Sequence, residues 1–174
     1  IEELEAHLHP QAQMKVIEAL QDINKVSDPT AELNQEPSKV KHDESQVQLL
    51  LTTHSPNLAS KVKLENLILC HGNQVFPLGE TYTKLKSDDY KFLEHFLDVT
   101  KANLFFAKGV IIVEGWAEEL LIPVIADKIG CNLTRCEVSI VNVGSTAYKR
   151  YKDIFLRREG PEIGIKVAVI ADLD

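Results

Sequence analysis

From Gly109 onward the chain alternates two kinds of segment, and this alternation constrains the fold more than any other feature. Residues 110–113, 138–143 and 165–171 are short, nearly uninterrupted apolar runs, the pattern of strands buried on both faces. Between them, 116–129 and 146–158 carry helical patterns, with Leu120, Leu121, Val124 and Ile125 on one face of the first. Pro123 inside that helix predicts a kink or a shifted start. Strand–helix–strand–helix–strand with apolar strands predicts an α/β fold, a parallel sheet with helices on both faces. Ligand chemistry in such sheets gathers at the carboxyl ends of the strands.

Acids stand at those ends. Glu114 directly follows the first strand, and Asp172 and Asp174 follow the third. Alternate residues of an extended segment point the same way, so Asp172 and Asp174 can face one site. Glu118, four residues after Glu114, falls on the first turn of the following helix. Converging carboxylates repel one another, and a hard divalent cation, Mg²⁺ or Mn²⁺, relieves that repulsion. Such ions bind phosphate, generate hydroxide and stabilise a leaving oxygen. Each acid alone has a plainer reading: Glu118 suits the positive end of its helix, and Asp172 or Asp174 can cap a helix that follows. Their concurrence at the strand ends of one sheet favours the functional reading.

The front half is less regular. Residues 10–25 predict a helix, with Pro10 in its first turn and Val16, Ile17, Leu20 and Ile23 at helical spacing. Residues 27–46, polar and holding Pro29 and Pro37, predict a flexible loop or insertion. Residues 47–53 predict a buried strand, 66–78 a hairpin around His71-Gly72-Asn73, and 88–98 a helix with Tyr90, Leu93, Phe96 and Leu97. Neither end reads as a natural terminus. The chain is expected to be an interior segment of a longer protein.

Charge and composition exclude several classes. With 19 Lys+Arg against 26 Asp+Glu the net charge is -7, which argues against a generic basic DNA-coating module. The one local basic cluster, Lys149, Arg150, Arg157 and Arg158, reads as a solvated helix face with no assigned role. No apolar run approaches the ~20 residues of a membrane span. Cys70, Cys131 and Cys136 form no CxxC and lead to an expectation of free thiols in a reducing cytoplasm, the last two as packing groups. His7 and His9 form an HxH pattern without further ligands at zinc spacing, so they are taken as structural. His42, His71 and His95 are scattered and expected to be exposed.

Val110-Ile111-Ile112-Val113-Glu114-Gly115, then Glu118, then Ala171-Asp172-Leu173-Asp174 resembles a Toprim domain, and Asn142-Val143-Gly144-Ser145 resembles its small-residue turn. Residues 105–109 and 118–123 resemble those of the OLD (overcoming lysogenization defect) nucleases in particular. The resemblance implies that Glu114, Glu118, Asp172 and Asp174 are metal ligands, with Glu114 also serving proton transfer. Further family acids and a lysine would lie beyond Asp174, so a site assembled from this chain alone is expected to be incomplete.

Residues 1–10, Ile1-Glu2-Glu3-Leu4-Glu5-Ala6-His7-Leu8-His9-Pro10, resemble the end of a Walker B strand of an ABC-type ATPase, with Leu4 where many relatives carry Pro. The resemblance implies that Glu2 helps hold Mg²⁺ and that Glu3 polarises the attacking water. Residues 49–56, Leu49-Leu50-Leu51-Thr52-Thr53-His54-Ser55-Pro56, resemble the switch-histidine motif, in which His54 would touch the nucleotide γ-phosphate. No GxxxxGKS/T string is present, so this chain by itself is not expected to bind ATP, and the phosphate-binding loop is expected to precede Ile1.

The implied organisation is the C-terminal segment of an ABC ATPase domain over 1–79, a linking helix over 80–106 and the first part of a Toprim domain over 107–174. The implied protein is an ATP-dependent DNA endonuclease regulated by its ATPase half, a homodimer or higher homo-oligomer with room for a helicase-like partner. Two alternatives differ in class: a non-enzymatic ATP-driven DNA clamp with a decayed Toprim, and the Toprim of a topoisomerase or primase. The acid set argues against the first, and the Walker B and His54 strings against the second.

Overall fold

The computed structural model describes residues 3, 5–25, 48–144 and 146–172. The expected loop at 27–46, Val47, Glu2, Ser145 and Asp174 lie outside them. Two compact units divide after Leu58, at Ile1–Leu58 and Ala59–Asp174. The expected boundary between ATPase segment and linker at 79/80 therefore falls inside the second unit.

In the first unit, helix α1 (Pro10–Lys25) buries Ile17 and Gln13. Among the described residues, 48–53 form no strand where a buried one is expected over 47–53: Leu50 is 71% exposed, and Thr52 makes an isolated bridge. A strand needs neighbours along its length. Here the Glu3 N–H donates to the Thr52 carbonyl at 3.1 Å. The short helix α2 (Pro56–Ala59) follows.

The second unit has one continuous core. A hairpin of β1 (Ile68–His71) and β2 (Gln74–Pro77) turns at Gly72, whose φ of 58° suits a residue without Cβ. Helix α3 (Ser87–Phe96) follows, then a tight turn over Lys101–Phe105. The parallel sheet comprises β3 (Gly109–Val113), β4 (Val138–Asn142) and β5 (Lys166–Ile170) in the order β4-β3-β5. Helix α4 (Trp116–Lys128) links β3 to β4, and α5 (Tyr148–Asp153) lies between β4 and β5. The two crossovers run in opposite directions across the sheet, so right-handed connections put α4 and α5 on opposite faces. Consistently, α4 packs on β3 and β4, and α5 on β3 and β5. Leu85, Leu93, Leu104, Ile112, Tyr151 and Ile154 form the centre of the core, drawn from the segment before α3, α3 itself, the turn after it, β3 and the α5 region alike.

Three packing expectations are corrected. Central β3 is buried on both faces, but β5 alternates exposed and half-buried residues and leaves Ile170 40% exposed, as an edge strand does. On α4 the residues Leu120, Leu121, Val124 and Ile125 face solvent, each more than half exposed, and Ala126 is the buried one. That helix is apolar nearly all round, so its sequence could not tell which side the sheet would take. Pro123 sits within the helix without ending it. Finally, all three cysteines are free and exposed, so Cys131 and Cys136 are not packing groups, and His71 is half-buried rather than exposed, its ring close against Gly164.

The basic cluster turns out to be structural. Arg158 donates from Nε to the Thr83 carbonyl at 2.6 Å and from Nη2 to the Leu85 carbonyl at 3.1 Å. Arg157 donates to the Pro77 carbonyl at 2.5 Å, and Arg150 pairs with Asp89 at 3.0 Å while stacking over Phe92. These guanidinium groups bind the segment 77–89 to the helix–loop before β5, which is why that segment belongs to the second unit.

The tight turn after α3 supplies a pH test. Burial raises the Asp98 carboxyl, but hydrogen bonds from Lys101 and Thr100 and the charge of Lys101 outweigh it, and the pKa falls from 3.8 to about 2. A depressed folded-state pKa adds stability that is present above the unfolded value and is lost as pH falls through the folded one. Thermal melts of wild type and Asp98→Asn should therefore differ at pH 5, by about 1 kcal/mol given the exposure of the carboxylate. The difference should vanish between pH 4 and pH 2. A constant difference across that range would dissociate the effect from the charge.

Candidate functional site

The candidate side chains fall at two places, one in each unit. In the second unit, β3 and β5 pair in register, with Val113 opposite Ile170. Glu114 and Asp172 therefore leave the same carboxyl edge of adjacent strands, Glu114 half-buried and Asp172 exposed. Gly115 caps α4, and a Cβ built there would lie 3.2 Å from Glu118 Oε2. The Glu118 carboxylate thus folds back over Gly115 in the β3–α4 turn. Glycine at 115 leaves that space open.

Sequence reasoning singled out Asn142 as part of a small-residue turn but missed its contact with α4. Asn142, the last residue of β4, donates to Glu119 Oε2 at 2.8 Å and accepts the Gly144 N–H at 2.9 Å. Gly144 has a φ of 63°, which favours glycine at that turn. Asn142 therefore ties the first turn of α4 to the turn after β4, holding two strand ends at a set distance. The spacing of Asn142 and Gly144 was visible in sequence, but the partner on α4 was not.

Carboxylates at the ends of adjacent strands are the hard oxygen donors that a Mg²⁺ or Mn²⁺ ion takes. Among the described residues, however, no three His, Cys, Asp or Glu side chains converge on one point. Glu114, Glu118 and Asp172 share an edge without forming a closed set of ligands, and Asp174 is outside the described residues. The HxH pair likewise gathers no metal-binding cluster there; the His9 ring accepts the Gln11 N–H at 3.4 Å.

In the first unit the structure brings Glu3 and His54 together. His54 Nε2 lies 3.6 Å from Glu3 Oε1, with both side chains well exposed at 84% and 55%. A contact so open to water contributes little stability. Glu3 nevertheless adopts a φ of 43°, a backbone conformation uncommon for a residue with a Cβ. Glu5, two residues on, accepts the Thr53 hydroxyl at 2.5 Å and the His54 N–H at 2.7 Å. Burial raises the Glu5 carboxyl, but hydrogen bonds from Thr53 and from backbone N–H groups, with the nearby imidazole, hold its pKa below the ordinary value. Glu5 had no assigned role from sequence, because its partners are 48 and 49 residues away.

No described helix is long and apolar enough to cross a membrane. A family described as "Overcoming lysogenization defect protein-like, TOPRIM domain" matches residues 105–174. Another, described as "AAA ATPase domain", matches residues 1–59. Endonuclease GajA of Bacillus cereus (strain HuB5-5) is 26% identical over 191 aligned residues, taking in 100% of this chain and 26% of GajA. The chain thus spans about a quarter of the length of that curated relative.

Proposed function

The chain belongs to the OLD family of ATPase–Toprim proteins, and from that premise we propose that it is part of an ATP-regulated, metal-dependent DNA endonuclease. The observation that carries the reading is the shared carboxyl edge of β3 and β5, from which Glu114 and Asp172 emerge one strand apart. Glu114, Glu118, Asp172 and Asp174 would hold the ion. When bound, a divalent cation supplies an activated water and stabilises the leaving oxygen of a phosphodiester.

The chain's own residues do the rest. Glu114, half-buried at the end of the central strand, would serve proton transfer at its carboxylate. Glu118 lies over the β3–α4 turn at Gly115. Asn142 keeps the β4 end tied to the first turn of α4, beside the strand end that carries Glu114. In the first unit Glu2 would help hold the nucleotide's Mg²⁺, Glu3 would orient the attacking water, and His54 would contact the terminal phosphate. Control of cutting by ATP, action in the cytoplasm as a homo-oligomer, and defence against phage belong to the same proposal. So does the assignment of 1–79 to the ATPase, 80–106 to a linker and 107–174 to Toprim.

A melt of this chain tests the metal site without needing catalysis. Mn²⁺ at saturating concentration should raise the melting temperature of the second unit, by about 2.7 kcal/mol in stability at one hundred times the dissociation constant. Asp172→Asn should reduce that gain. A melt that Mn²⁺ leaves unchanged counts against the site.

A further inference from the structure

We propose that Glu5 is a positioning residue for the Glu3–His54 pair, a role that rests on the ATPase reading above. The His54 imidazole is almost wholly exposed and has Glu3 beside it at 3.6 Å, so its place depends on the backbone that carries it. Glu5 Oε1 holds that backbone by accepting both the His54 N–H and the Thr53 hydroxyl. Thr53 Oγ1 in turn accepts the Ser55 N–H at 3.0 Å. On the far side of His54, the buried Ser55 hydroxyl donates to Gln13 Oε1 at 2.7 Å, and Gln13 Nε2 donates to the Leu8 carbonyl at 3.0 Å. The histidine loop is thus clamped from both sides onto residues 5–13, the turn and helix that directly follow Glu3.

The carboxylate itself indicates that this contact does more than fill space. Glu5 Oε2 is buried and has no hydrogen-bond partner among the described residues. Leaving one oxygen desolvated is unfavourable, and it persists because the charge-assisted bonds at the other oxygen offset it. Glutamine would keep an acceptor but put an NH₂ group in the unpartnered position. Alanine would release the loop.

Amide hydrogen exchange on this chain tests the clamp directly. Glu5→Ala should speed exchange at His54 about 10- to 100-fold, with amides of β3 unchanged. Glu5→Gln should fall between that variant and wild type. Should Glu5→Ala also strip protection from α1, Glu5→Gln decides: faster exchange at His54 with α1 intact supports the clamp. Wild-type exchange at His54 in the folded variant overturns it. In the full-length enzyme, Glu5→Ala should lower kcat for ATP hydrolysis nearly as much as His54→Ala, with KM within about twofold, and the double variant should be no slower than His54→Ala. Additive losses overturn the coupling. Full hydrolysis by His54→Ala counts instead against the ATPase reading, and the exchange rates then decide the positioning role alone.

Discussion

Glu114→Gln in the full-length enzyme should cut the conversion of supercoiled plasmid to nicked and linear forms by about 10²–10⁴-fold in Mg²⁺ or Mn²⁺. The substitution keeps the shape of the side chain and removes its charge and basicity. It should leave the fold intact, because Glu114 follows Ile112 and Val113, which are fully buried and anchor the end of β3. Lost cleavage with an unchanged melt would therefore locate the chemistry at this strand end. Closed, relaxed plasmid from the wild type would move the protein to the topoisomerase class. Wild-type protein that leaves plasmid untouched in both metals would favour the DNA clamp. Cleavage undiminished in Glu114→Gln would remove this residue from the site.

Tyr151→Ala should destabilise the second unit by about 4 kcal/mol, lowering its melting temperature by roughly 10–15 °C. Tyr151 is 1% exposed, meets Phe92 edge-on at 6.5 Å and donates its hydroxyl to the Phe96 carbonyl at 3.1 Å. Burial, with the charge of Asp98 behind it, pushes its pKa up to about 12, so it stays neutral and donating throughout the range of such melts. Its removal opens a cavity between α5 and α3 and takes one of two donors from the Phe96 carbonyl, which keeps the Asp98 N–H at 3.0 Å. Tyr151→Phe removes the hydroxyl alone and should cost about 1 kcal/mol. A loss below 1 kcal/mol in Tyr151→Ala would mean that α5 does not seal this face of the sheet.

The order of elements was legible because its signals are local. Apolar runs at 110–113, 138–143 and 165–171 became β3, β4 and β5 within a residue or two. The hairpin was readable from Gly72 and its flanking strands. The acids Glu114 and Asp172 could be placed at one edge because a parallel sheet brings strand ends together. Less legible was everything that depends on a distant partner. The apolar face of α4 looks the same in sequence whether it meets a sheet or water, and Leu50 looks like a core residue until its neighbours are known. Arg157 and Arg158 look like a solvated pair until the carbonyls of Pro77, Thr83 and Leu85 appear beside them.

By itself, then, the sequence determined the α/β class, the succession of strands and helices, the carboxylates at strand ends, and the Glu3 and His54 strings. The class, the succession and the strand-end carboxylates rest on periodicity and spacing over a few residues, which backbone geometry converts directly into structure; the Glu3 and His54 strings rest on resemblance to a family. Only the tertiary structure decided that the chain divides after Leu58, that β5 is an edge strand, that Asn142 ties β4 to α4, and that Glu5 holds the loop of His54. Each of those depends on side chains meeting across 23 or more residues of chain or on which face a neighbour covers. Hydrogen-bond geometry and burial settle such matters, and neither is encoded in any short stretch of residues.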